Sequence, residues 1–108
     1  MIFPVRITKT ARRDLKEIHA WIAEHDSISR ADYVLDRLAL AVESIATLPE
    51  RGSRPHELWP GMGTDCRQVF FKPYRLIYLV RPTVVVVILI ADGRRNLQSI
   101  LLGRLTEN

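Results

Sequence analysis

Residues 66–91, CRQVFFKPYRLIYLVRPTVVVVILIA, hold three β-rich runs laid end to end. Lys72-Pro73 breaks the first from the second, and Arg81-Pro82-Thr83 breaks the second from the third. Proline cannot donate to a ladder, so each break is better placed at a strand end than inside a strand. Connections this short force antiparallel neighbours, because a parallel crossover needs a dozen residues or more. The stretch predicts a three-stranded meander. Its last run, Val84–Ile90, is apolar on both faces and should be central in the sheet. In the middle run, Tyr74, Leu76, Tyr78 and Val80 share one face. Arg75, Ile77, Leu79 and Arg81 share the other. Arginine at both ends of that second face predicts that it lies open to solvent.

Working outward, the N-terminal half supplies cover for the opposite face. Ile2–Thr8 alternates and predicts a short strand, placed at or near an edge by Pro4. Thr8 or Thr10 can cap a helix over residues 10–25, in which Ala11, Leu15, Ile18 and Ile22 form a stripe widened by Trp21. Ser29-Arg30-Ala31-Asp32 has the form of a capping box for a second helix. Ala31, Val34, Leu35, Leu38, Val42, Ile45 and Leu48 mark its apolar face, and Pro49 and Gly52 end it. The few residues between the helices require a hairpin. Residues 49–64 form the longest irregular segment and include His56 and Trp59; a lone loop histidine is more often solvated than catalytic. Trp59 is expected to plug the core edge. After the Asp92-Gly93 turn, Asn96 can cap a short helical or extended stretch carrying Leu97, Ile100, Leu101 and Leu105, with a frayed end at 106–108. The fold class is α+β, in a single domain spanning 1–108.

Composition fits a soluble globular domain of 108 residues, 47% hydrophobic and 26% charged. The single cysteine, Cys66, excludes an intrachain disulfide. No run approaches the ~20 apolar residues that span a bilayer, and no signal-type leader precedes Arg6 and Lys9. A cytoplasmic protein without a membrane role is expected. Residues 1–60 carry nine Lys/Arg and nine Asp/Glu, whereas 61–108 carry seven and three, so the net +4 lies wholly in the second half. A basic sheet region attracts polyanions, nucleic acid or an acidic protein segment.

Catalytic patterns are absent. His19, His25, His56 and Cys66 lack metal-ligand spacing, Gly61-Met62-Gly63 lacks the strand-to-helix context of a phosphate loop, and no nucleophile has a neighbouring base. No metal or cofactor is expected. What remains is arginine: Arg67, Arg75, Arg81, Arg94 and Arg95. Such a set can bind acidic groups or stabilise an oxyanion, or merely protect sheet edges from aggregation.

The order of these pieces resembles the RelE/ParE superfamily of toxins from bacterial type II toxin–antitoxin systems. The likeness runs from Val5-Arg6-Ile7-Thr8 and Ala11-Arg12-Arg13-Asp14-Leu15-Lys16-Glu17-Ile18 through Leu48-Pro49-Glu50-Arg51-Gly52. It is strongest in Arg67-Gln68-Val69, Pro73-Tyr74-Arg75-Leu76-Ile77-Tyr78 and Asp92-Gly93-Arg94-Arg95-Asn96. The resemblance implies a strand, a helical hairpin and a meander, a role of the plasmid-stabilisation type, and a cognate antitoxin with an acidic C-terminal segment. The antitoxin surface is expected at Arg67, Arg75, Ile77, Leu79 and Arg81. Operator DNA would be reached only through the antitoxin; a homodimer and a toxin–antitoxin hetero-oligomer both remain open.

RelE-like members cut mRNA on the ribosome, whereas ParE-like members poison DNA gyrase without being nucleases. Arg75 and Arg94 match RelE arginine positions, and Arg67 would join them in a nuclease site. The lysine positions of the first meander strand fall at Cys66 and Gln68, and the C-terminal stretch has no Tyr or His. Arginine, with its pKa above ~12, is a poor proton shuttle. These departures favour the gyrase-directed branch, with no catalysis and with Arg94 and Arg95 as the target contact. The alternatives are a RelE-like nuclease and a non-toxic binding or autoregulatory module of the same fold.

Overall fold

A computed structural model describes residues 2–59 and 65–107. The elements follow in the order β1 (Val5–Ile7), α1 (Lys9–His25), α2 (Ile28–Thr47), a 3-10 turn at Pro49–Arg51, β2 (Cys66–Phe71), β3 (Tyr74–Val80), β4 (Val85–Asp92) and α3 (Gln98–Glu107). The sheet order is β1-β4-β3-β2, with β1 parallel to β4 and the meander antiparallel. This is the α+β architecture expected, with β1 at an edge and β4 inside.

β1 is shorter than the alternation over Ile2–Thr8 suggests. Only Val5, Arg6 and Ile7 pair with β4. Phe3 instead donates its N–H to Ala46 O near the end of α2. Thr8 Oγ1 caps α1 by accepting from Ala11 N at 3.1 Å. The cap of α2 is Ser27, not Ser29. Ser27 is extended and accepts from Arg30 N at 3.0 Å. Asp32 does not reach back to form a capping box; its carboxylate meets His19 Nε2 of α1 at 2.8 Å. Asn96 Oδ1 accepts from Gln98 N, and α3 runs as far as Glu107, so residues 106 and 107 are helical where fraying was expected.

Two cores sandwich the sheet. Ala11 and Ile22 of α1 and Ala31, Val34, Leu38 and Ile45 of α2 pack on Leu76, Tyr78, Val85, Val87 and Ile90. Burial of each large aliphatic chain stabilises by roughly 1.5–3 kcal/mol. Trp21 and Leu48, expected on these stripes, lie at the rim and are 61% and 54% exposed. The second core is the correction that matters. Ile77, Leu79, Val86, Ile88 and Leu89 are covered by Leu58 from the loop after α2 and by Leu97 and Leu101 of the α3 segment. The face predicted to lie open is closed, because the C-terminal stretch folds back over it. Trp59, expected to plug the core edge, is 56% exposed; Leu58 does that instead.

β4 serves both cores through a bulge. Ile77 pairs with Leu89 but Tyr78 with Val87, so Ile88 is the extra residue. Helix-facing parity therefore shifts from Val85 and Val87 to Ile90, and Ile88 and Leu89 both join the second core. Past the end of β1 the β4 edge has no strand neighbour. Asp14 and Arg104 fill the gap. Asp14 Oδ2 accepts from Ile90 N at 3.0 Å, and Arg104 Nη1 donates to Ile88 O at 2.8 Å. The two side chains also pair with each other at 2.7 and 2.9 Å, fastening α3 to α1. That bond to Asp14 raises the Arg104 pKa above its ordinary value.

Gly52 lies where backbone and side chain crowd. Its N–H donates to Tyr78 Oη at 3.0 Å, and that hydroxyl donates to Pro49 O at 2.7 Å. A Cβ there would meet Tyr78 Oη at 2.5 Å and Gln68 O at 2.7 Å. Gly52→Ala should therefore destabilise the chain by about 2 kcal/mol. Gly103 of α3 has nothing within 4 Å of such an atom, so Gly103→Ala should stabilise by about 0.5–1 kcal/mol through helix propensity. Urea denaturation of both variants checks the opposite signs.

Candidate functional site

Arg75 occupies the centre of the second core's polar corner. β3 aims it at the face that α3 and the 53–59 loop cover, and it is only 4% exposed. Its Nη1 and Nη2 donate to Glu57 Oε2 and Oε1 at 2.6 and 2.8 Å, a two-pronged pair. Nε donates to Gln68 Oε1 of β2 at 2.8 Å, and Nη2 also reaches that oxygen. Gln98 Nε2 of α3 donates to Glu57 O at 3.0 Å, which ties the loop to the helix. Gly93 is small because Arg75 is there: a Cβ at 93 would meet Arg75 Cδ at 2.7 Å. The guanidinium bond holds the Glu57 carboxyl below its ordinary value of 4.5, against the opposing effect of burial. Among the described residues no buried side-chain polar atom lacks a partner.

The other arginines do not join it. Arg67 is opposite Tyr78 in the register and so lies on the α1–α2 side of the sheet. There it donates to Asp65 at 2.9 Å and to Glu50 O at 2.8 Å. Arg81 is exposed in the turn from β3 to β4, at the far end of β3 from Arg75. Arg94 and Arg95 are exposed in the turn that leaves β4. Arg94 returns to Asp92 with bonds of 2.5–3.2 Å, and these lower the Asp92 pKa. The expected open, arginine-lined sheet surface is thus overturned. Arg75, Ile77 and Leu79, assigned to an antitoxin surface, are buried beneath this chain's own loop and helix in the chain alone. Arg67 and Arg81 remain accessible on separate parts of the molecule.

The chemistry available is recognition by charge and shape. Cys66 is 1% exposed, and burial pushes its thiol up to about 12, so it is no nucleophile near neutral pH. Burial also raises Tyr74 and Tyr78. No group of three or more His, Cys, Asp or Glu able to hold a metal occurs among the described residues. Gly61-Met62-Gly63 lies outside them. Glu57 is the residue that sequence reading missed. It sits in an irregular segment with no periodicity, and its partner is 18 positions away. A buried arginine's need for a counter-charge was the available signal.

Removing one member of such a pair leaves a buried uncompensated charge. Glu57→Gln should cost about 3 kcal/mol at pH 7. Because the folded pKa is depressed, the stabilisation is complete above the ordinary value of 4.5 and fades as pH falls through the lower folded value. The gap between wild type and Glu57→Gln should therefore narrow on acidification below that value, as urea titrations at several pH values would reveal. A gap independent of pH would remove the ion pair from the explanation.

Comparison with known proteins identifies the family through its sequence model. The family model described as the ParE toxin of the type II toxin–antitoxin system parDE matches residues 5–97. Toxin ParE3 of Caulobacter vibrioides is 27% identical over 92 residues, covering 85% of this chain and 88% of that protein. Among solved structures, a chain of a chromosomal ParDE system from P. aeruginosa has a TM-score of 0.71 at 17% identity, covering 84% of this chain and 96% of its own. A free-state RelE variant from E. coli gives 0.65 at 15%, covering 99% and 98%. A chain of the RelBE2 toxin–antitoxin complex from Mycobacterium tuberculosis gives 0.61 at 23%, covering 85% and 99%. The structural likenesses speak for the fold alone. The family match spans both helices and the whole meander, and on it the chain belongs to the ParE toxins of type II toxin–antitoxin systems.

Proposed function

We propose that this ParE-type toxin acts by binding DNA gyrase and stalling it, with no bond-breaking of its own, and that a cognate antitoxin encoded beside it neutralises it in the cytoplasm. The observation that carries this reading is the state of Arg75. A nuclease of the RelE kind would need that arginine free to meet phosphate charge, and here it is buried and bonded to Glu57 and Gln68. Cys66 and Gln68 stand where lysines would be needed, and residues 97–108 include no Tyr or His. The exposed Arg94–Arg95 turn is the assigned target contact. It follows the end of the central strand, and the Arg94 side chain is 78% exposed. That its structural neighbours include a ParDE system and the RelBE2 toxin–antitoxin complex supports an antitoxin partner for this chain as well.

Purified toxin at micromolar concentration should block supercoiling by gyrase or accumulate its cleavage complex with DNA. Arg95→Ala should weaken that effect by roughly tenfold, the loss of one charged contact at an interface, without lowering thermal stability. Ribosome-dependent mRNA cleavage in a toeprinting assay, with gyrase unaffected, would replace this reading by the nuclease one.

A further inference from the structure

Two clefts adjoin at the end of the sheet where β2 turns into β3. The larger, about 350 Å³, lies between α1 and the turn that leaves β4, with Trp21, Tyr74 and Arg95 among its walls. The smaller, about 160 Å³, is bounded by Arg30, Phe71 and Lys72. Trp21 and Tyr74 line both, so the two clefts, together the trough, share an aromatic wall. Trp21 is 61% exposed, an uncommon state for the largest aromatic side chain. Its ring stacks on His25 of the same helix at 4.2 Å and 12°. Beside the trough Tyr33 meets Phe71 edge-on at 6.3 Å, with the Arg30 guanidinium 5.1 Å above the Tyr33 ring. Planar rings and cations alternate along this rim.

We propose that the trough binds single-stranded nucleic acid, with a base stacked against Trp21 and the phosphates running past Arg95, Lys72 and Arg30. Aromatic platforms with flanking cations suit bases freed from a duplex, because every base offers a flat face. An extended peptide fits less well. Strand addition needs an open edge, and the β4 edge in this cleft is occupied by Asp14 and Arg104. The acidic residues here set the strength. Asp14 and Asp92 are paired with Arg104 and Arg94. Glu17 and Asp26 stand against Arg95, Lys72 and Arg30; over the two linings together four acidic and four basic side chains balance, Arg104 reaching Asp14 from outside them. Stacking therefore outweighs charge. With two or three phosphate contacts, the plot of log affinity against log salt should have a slope of only about −2. Arg95 is shared with the proposed gyrase contact but Trp21 is not, so the Trp21 variants test this site whatever the outcome with gyrase.

The test uses the full chain carrying Trp59→Phe, which leaves Trp21 as the only tryptophan. Its fluorescence is titrated with a short oligothymidylate, an oligouridylate of equal length, a duplex of equal length and polyglutamate. Saturable quenching by either single strand in the micromolar range is the expected result, and the tighter of the two identifies the nucleic acid. In a polarisation assay with labelled oligonucleotide, Trp21→Ala should weaken binding roughly tenfold, and Trp21→Phe should restore most of it. Circular dichroism confirms that these surface variants fold. Absence of saturation, indifference to Trp21→Ala, or equal binding of duplex or polyglutamate would overturn the proposal.

Discussion

The arrangement of the molecule depends on a buried ion pair. Arg75 points from β3 toward a face that α3 and the 53–59 loop must cover, and the pair with Glu57 makes that cover tolerable. An arginine enclosed without a counter-charge would cost several kcal/mol. Two parallel hydrogen bonds donated to Glu57 and a third to Gln68 remove most of that cost. Gln98 then binds the carbonyl of Glu57, so α3 docks on the same loop that supplies the carboxylate. Leu58, one residue on, brings apolar cover to Cys66, Ile77 and Leu79. Electrostatics and hydrophobic burial thus close this face together.

A second pair repeats the device at the sheet edge. β1 is only three residues long, which leaves part of central β4 without a strand neighbour. The bulge at Ile88 turns a carbonyl and an N–H toward that gap. Asp14 and Arg104 satisfy both and bind each other, from helices at opposite ends of the chain. An open edge is a hazard for aggregation and a template for pairing. Here it is closed by side chains. With both faces and this edge covered, the exposed features include the Arg94–Arg95 turn and Trp21 at the rim.

Much of this architecture was legible in sequence, and the misses have physical causes. The prolines at 73 and 82 marked both meander turns, and the apolar run at 84–90 marked the central strand, because each signal is local. The helical hairpin followed from periodicity, although Ser27 rather than Ser29 capped α2, while Asp32 meets His19 instead of closing a capping box. The open face was the principal error. Arginine at both ends of a strand face suggests solvent when each strand is judged alone. The residues that bury Arg75 lie in an irregular loop and at the C-terminus, and neither pattern nor spacing announces such long-range pairing. The candidate site was therefore less legible than the fold: Arg94 and Arg95 were found at the surface, whereas Arg75, Ile77 and Leu79 were not. Trp21 was assigned to the core stripe because periodicity identifies a helix face more reliably than where that face ends.

Exchange of the Arg75 side-chain proton tests the central claim most directly. In nitrogen-15 NMR of the free toxin near neutral pH, the Arg75 Nε–H should be sharply resolved and strongly protected from solvent exchange, while that of Arg95 exchanges rapidly. Assignment follows from loss of each signal in the corresponding lysine variant. An Arg75 Nε–H that exchanges as fast as Arg95's would mean that the face is open in solution, and would contradict the closed, ion-paired sheet on which the account rests.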